Sequence, residues 1–314
     1  MFALTNRNEV NLDMNKTVKR LLIICAVVIA CCVGCKAILN NILTAPLVKD
    51  GYQNEFEYKG ALEKKYAYNG TFAVDSLSVA SSDEAIKRFH VWFPSELKGS
   101  TKKWPVVVMA NGTGVLATRY IPIFEHLASW GFVVVGNQDG SSWFGNSTSA
   151  SLEWILEQNT ALDSPFCGKL DTEAIGLAGH SQGGVATFYA ATQFDNAKYY
   201  KAICSMSGNF PDFAQSIQAP VFLMGGTNGL DAKAIDGMNE CFGKIDSQPV
   251  VMGILKDTDH GVVLPRGDAY MTAWFLFYLQ GDKQAGKCFY GDDAEILTNP
   301  AWKEVKRKNF ANLE

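Results

Sequence analysis

The chain has 314 residues, 47% of them apolar and 19% charged, with a formal net charge of −4. That mix excludes a disordered or low-complexity chain, and the slight negative charge without a basic stripe gives no reason to expect nucleic acid as a partner. The length allows one large core or two small ones.

Residues 1–13 are polar and patternless. The basic stretch Met14–Arg20 then leads into the apolar run Leu21–Val33, which reads as an export signal with Met14 as a candidate start. The run falls short of the roughly 20 residues that cross a bilayer comfortably. It closes on Val28-Ile29-Ala30-Cys31, which resembles a bacterial lipobox in which Cys31 is acylated and becomes the mature N-terminus. An uncleaved anchor and an ordinary cleaved signal are the alternatives. All three place the body outside the cytoplasm, as a cell-envelope lipoprotein or a secreted protein. The C-x-x-C at Cys32 to Cys35 is read as a by-product of this segment. The expected organisation is an export segment over 1–36, a tether over 37–65 and a single domain over 66–314. Cys167, Cys204, Cys241 and Cys288 remain in the body; their even number permits disulfides in an exported chain, with three pairings open. For Cys204, in an apolar run, a buried thiol fits equally well.

Eight runs then have strand character: 72–79, 86–93, 106–110, 132–135, 174–178, 202–206, 221–224 and 250–255. The first two alternate; the later ones are short, continuous and rich in Val, Ile and Leu, as in strands covered on both faces. Helix-like segments separate the later runs at 121–129, 152–162, 185–193 and 232–239, and another follows at 269–279. This alternation predicts an α/β fold: a mostly parallel sheet of about eight strands with helices on both faces. Ligands of such sheets bind beyond the carboxyl ends of the strands.

One strand tip carries Gly179-His180-Ser181-Gln182-Gly183-Gly184 between an apolar run and a helix-like one. In that context G-x-S-x-G marks a tight turn that holds a serine in strained geometry at the strand tip, beside unpaired N–H groups of the next helix. A serine hydroxyl needs a base to act as a nucleophile. Of the four histidines, His90 lies within a strand-like run and His126 within a helix. His180 adjoins the serine, where the turn is expected to aim side chains apart. His260 alone follows a strand tip downstream. Asp231, past the 221–224 tip, is the expected acid and gives the order Ser…Asp…His, with a helix cap as its alternative role and Asp236 and Asp212 as rivals. Asp257 and Asp259 are too near His260 in sequence for easy approach. Trp143, Phe144 and Phe210 lie on loops past two other tips and are the expected substrate wall, with packing down as a plug on the core as the alternative.

From about Trp104 to Gln280 the chain resembles the α/β hydrolases, and more narrowly the dienelactone hydrolase-like branch with its cutinase-like polyester hydrolases, lipases and chlorophyllase-type esterases. The resemblance is carried by Pro105–Gly114, Leu127–Val135, Gly179–Gly184, Ala219–Gly226 and His260. It implies that Thr113 and Gln182 supply the oxyanion N–H groups, and that the substrate is a small or polymeric ester cleaved through an acyl-enzyme without cofactor or metal. The chain departs from the polyester hydrolases at the acid: Gly229 falls near the slot where they carry Asp, and Asp231 follows two residues later. The paired cysteines of some of these enzymes are not matched. Two other readings stay open. A hydrolase-fold binding protein that no longer catalyses is one. The other is a dinucleotide site at Gly112-Thr113-Gly114-Val115-Leu116-Ala117 with Asp139, which would leave the serine turn unexplained.

Overall fold

Short apolar runs alternating with longer mixed segments build a layered α/β body, described over residues 46–310 in a computed structural model. The expected export signal, Met14 start and Cys31 lipidation lie outside those residues. Nine strands form one sheet: β1 (Val74–Ala80), β2 (Arg88–Pro94), β3 (Trp104–Ala110), β4 (Val133–Asn137), β5 (Leu170–His180), β6 (Tyr200–Met206), β7 (Val221–Gly226), β8 (Val250–Leu255) and β9 (Trp302–Lys308). Their order is β1-β2-β4-β3-β5-β6-β7-β8-β9. The six central strands are parallel, while β1, β2 and β9 join antiparallel at the two edges.

The main helices are α1 (Ala61–Ala67), α2 (Ile121–Ser129), α3 (Asn146–Gln158), α4 (Gln182–Ala190), the single turn α5 (Pro211–Ala214), α6 (Gly229–Lys244) and α7 (Val263–Gln280). Every residue of β3, β4, β7 and β8 is buried, because both faces of the sheet are covered. Side chains alternate between the faces. Val107 and Met109 join a core with Phe124 of α2 and Trp274 and Phe275 of α7. Val106 and Val108 join a second core with Ile155 of α3, Phe188 of α4 and Met238 of α6.

The structure departs from the expected elements in three places. β9 is an additional strand: apart from buried Trp302 it is dominated by Lys, Glu and Arg, a composition that suits an edge open to solvent. α3 starts at Asn146, not near Leu152, although Ser and Thr are weak helix formers. Tertiary hydrogen bonds offset the weak propensity: Asn137 Nδ2 donates to the Ser147 carbonyl (3.0 Å) and Ser151 Oγ (2.9 Å). The described part of the expected tether, 46–65, is folded onto the body, with Tyr52 and Glu63 buried. The four cysteines among the described residues are free thiols, and Cys204, Cys241 and Cys288 are buried.

A buried charge pair fastens that leading segment. Tyr52 donates its hydroxyl to Asp268 on α7, and the same carboxylate lies 2.5 Å from Nδ1 of His126 on α2. Nε2 of His126 faces the Tyr68 carbonyl at 2.9 Å. Each ring nitrogen thus has its nearest partner in an acceptor, closer than the contacts from Trp130 and Thr272, an arrangement that favours the imidazolium. Burial alone would push the His126 pKa down; Asp268 and the Tyr68 carbonyl outweigh it and hold it above the ordinary histidine value. Asp268→Ala is expected to cost about 3–5 kcal/mol in denaturant unfolding, because it leaves a buried charge unpaired. The folded-state pKa of His126 is raised, so its contribution is complete below the unfolded value of about 6.5 and is lost as pH rises through the folded value. The stability gap between wild type and Asp268→Ala is therefore expected to be wide near pH 6 and to narrow at alkaline pH.

Candidate active site

The sheet order reverses between β3 and β5: the chain leaves β3 for β4 on one side and continues from β5 to β6 on the other. A crevice opens at such a switch point, beyond the strand tips. Ala110 at the end of β3 is in register with Gly179 near the end of β5, so the loop after β3 and the turn at Ser181 lie side by side.

Ser181 has φ 61° and ψ −122°, a conformation that costs a non-glycine residue on the order of 1–3 kcal/mol. Its N–H donates to the Met206 carbonyl at the tip of β6 (2.8 Å), and its carbonyl accepts from Val185 N–H (3.2 Å). The turn closes only because two side chains are missing. A Cβ on Gly179 would lie 2.1 Å from the Gly183 carbonyl oxygen, and one on Gly183 would lie 2.0 Å from that of Ala110.

Three side chains from beyond separate strand tips meet here. Ser181 Oγ is 2.7 Å from His260 Nε2, and His260 Nδ1 is 2.5 Å from Asp231 Oδ1. The other carboxylate oxygen of Asp231 accepts from Ser207 Oγ (2.6 Å) and from the Gly226 N–H (2.7 Å). Burial pushes the Asp231 carboxyl up, but hydrogen bonds from His260, Ser207 and Gly226 together outweigh it and hold it below the usual carboxylate range. An ionised carboxylate only accepts, so Nδ1 of His260 carries its proton and the Nε2 lone pair faces the serine hydroxyl. Asp231 is the third residue of α6, which begins at Gly229 after Asn228; it does not cap that helix. Asp236 and Asp212 are both exposed at the surface. The donors Ser207 and Gly226 were not singled out in the sequence; the signal for Ser207 was its place directly past the β6 tip.

The other histidines separate clearly. His90 is hydrogen-bonded by Gln138, and His126 belongs to the buried pair beneath α7. His180 is not aimed away from the site as expected. It is buried, its ring centroid lies 5.0 Å from that of His260, and its Nε2 is 2.8 Å from the His260 carbonyl.

The loop after β3 is fixed from several directions. Asn111 Nδ2 donates to the carbonyls of Asn137 and Asp139, both at 2.8 Å, and its own carbonyl accepts from Ser142 Oγ. The N–H groups of Gly112, Gly114 and Val115 are bound by the Tyr120 hydroxyl, the Gly140 carbonyl and the Gly112 carbonyl. Thr113 lies exposed among these fixed points. Gln182 is the first residue of α4, where backbone N–H groups lack intrahelical acceptors and the helix end favours negative charge. The glycines at 112 and 114 do not open a helix: a short turn at Ala117–Arg119 intervenes and α2 begins at Ile121, unlike a dinucleotide fingerprint.

Aromatic rings flank α4. Trp143 and Phe144 are 46% and 64% exposed, so they do not plug the core. Phe144 packs edge-on to Tyr189 with centroids 5.5 Å apart, and Tyr189 in turn contacts Phe210 (4.7 Å) and Phe213 (4.8 Å). Val185 and Tyr189 follow Ser181 at four-residue intervals, on one face of α4. Tyr189 and Phe213 were missed in the sequence, although the i+8 spacing from Ser181 was available to find the first. Among the described residues, no group of His, Cys, Asp or Glu is arranged to hold a metal ion.

A strained serine at the switch point of a mostly parallel sheet, hydrogen-bonded to a histidine past a later strand, defines the α/β-hydrolase class. Within it, the model of the PETase family, described as PET hydrolase-like, matches residues 60–295, and the chain belongs to that family. The family comprises carboxylic ester hydrolases that act on polyesters, and this chain is assigned to that class of enzyme. No curated protein matches the chain.

Proposed function

We propose that this protein is a serine esterase that cleaves apolar, polyester-like carboxylic esters through Ser181, His260 and Asp231. The observation that carries this reading is the unbroken hydrogen-bonded chain from Ser181 Oγ through both ring nitrogens of His260 to the buried Asp231 carboxylate. His260 Nε2 accepts the Ser181 proton as Oγ adds to the ester carbonyl. Asp231 holds the ring in the required tautomer and stabilises the imidazolium. The Thr113 and Gln182 N–H groups take the oxyanion, beside the positive end of α4. His260 then returns its proton to the leaving alcohol as the C–O bond breaks. Water, deprotonated by the same nitrogen, adds to the acyl-enzyme; the acyl carbon–Oγ bond then breaks, Nε2 returns the proton to Ser181 Oγ, and the acid leaves. Ser181→Ala is expected to lower kcat by on the order of a million-fold, and Asp231→Asn by roughly ten-thousand-fold with the fold retained. Asp236→Asn and Asp212→Asn are expected to stay active. Turnover of p-nitrophenyl esters by the four variants decides the assignment; near-normal activity of Ser181→Ala would overturn it.

The acyl portion is proposed to run along α4 over Val185 and Tyr189, between Phe144 with Trp143 on one side and Phe210 on the other. Each methylene buried there adds about 0.8 kcal/mol of binding. Tyr189→Ala and Phe210→Ala are expected to flatten the rise of kcat/KM with acyl length while sparing acetate esters. Equal losses on short and long esters would place the acyl chain elsewhere.

The basic and apolar stretches at 14–33 and the motif ending in Cys31 support export, with a lipid on Cys31 attaching the enzyme to a membrane. Intact mass of the membrane fraction after bacterial expression tests this. The expected species begins at Cys31 and carries added acyl mass; any other N-terminus without acyl mass overturns it.

A further inference from the structure

We propose that His180 is a positioning residue: its side chain fixes the backbone of His260 relative to the adjacent Ser181. The inference rests on the reading of His260 as the base. His180 Nε2 lies 2.8 Å from the His260 carbonyl, across 80 positions of sequence. A carbonyl only accepts, so Nε2 carries the ring proton and Nδ1 holds a lone pair. That Nδ1 is buried and has no partner. An orphaned buried acceptor opposes folding, and an apolar ring of similar shape would avoid that cost. Packing alone therefore does not account for an imidazole at this position; the bond to His260 does.

The base needs such a tie. His260 stands on an exposed loop between β8 and α7, flanked by Asp259, Gly261 and Val262, all at the surface. Arg266 grips the start of this loop, donating to the Lys256 carbonyl and to Thr258 Oγ1, both at 2.7 Å. At His260 itself, Asp231 holds the ring and His180 holds the main chain. His180 ends β5, in register with Met206 of β6, and is peptide-bonded to Ser181. One residue thus joins the nucleophile's backbone to that of the base. Burial also pushes the His180 pKa down to about 4, so the ring beside His260 stays neutral when His260 gains its proton.

Gln and Asn at position 180 separate positioning from packing, since both offer an amide donor but only Gln approaches the reach of Nε2. His180→Gln, His180→Asn and His180→Phe are compared with wild type and Ser181→Ala on p-nitrophenyl acetate, with melting temperatures recorded. His180→Asn and His180→Phe are expected to lose on the order of 10–100-fold in kcat with KM little changed, as for a misplacement of about 1 Å, while Gln restores most of it. If Phe does not fold, the Gln–Asn pair alone carries the comparison. Wild-type kcat in Asn, or losses in Gln and Asn that are equal and follow melting temperature, would overturn the inference. Equal activity of wild type and Ser181→Ala would instead overturn the serine esterase reading itself.

Discussion

The site depends on one close approach: the first turn of α4 against the tip of β3, with Gly183 over the Ala110 carbonyl. Because no side chain intervenes, the helix terminus, the strained serine and the loop carrying Thr113 share one crevice. The parallel register of β3, β5 and β6 makes this possible, since it brings Ala110, Gly179 and Ser205 to the same level of the sheet. The apolar strand runs therefore serve the chemistry indirectly. They form a rigid floor on which a turn that would be unfavourable in isolation is held in place.

The second constraint is electrostatic. A buried carboxylate is tolerated only when its lone pairs are engaged. Asp231 meets that condition through a ring N–H, a hydroxyl and a backbone N–H, drawn from the ends of β8, β6 and β7 respectively. The loops past three neighbouring strands are tied together by this one anion. Elsewhere, the His126–Asp268 pair links the leading segment to the body, joining Tyr52, α2 and α7.

What was legible in the sequence follows from the range of the interactions involved. The central strands stood out because burial on both faces forces continuous apolar runs, as in Val106–Ala110. The serine turn stood out because its glycines answer a local steric demand. The Asp231–His260 pairing is legible from strand-tip positions, although the helix around Asp231 begins at Gly229, ahead of the expected 232. β9 was hidden because an edge strand gains from pairing and charge, not from an apolar run. The start of α3 was hidden because Ser149 and Ser151 bond to Asn196 and Asn137, residues outside the helix. The tie made by His180 is not legible in the sequence because its partner is a main-chain carbonyl 80 positions away, and no side-chain pattern announces such a bond.

The members of the site differ in their bearing on foldability. Ser181 and His180 are locally frustrated: one holds an unfavourable backbone angle, the other a buried nitrogen without a partner. Asp231 is not. Its charge sits in the first turn of α6, where a helix welcomes an anion, and its oxygens are engaged by three donors. Selection for robustness alone would therefore pull on these residues in opposite directions. It would relax the strand-to-helix corner that carries the serine and retain the aspartate. A lineage drifting away from catalysis would be recognisable by that asymmetry, with Asp231 intact beside a corner that has lost its tension.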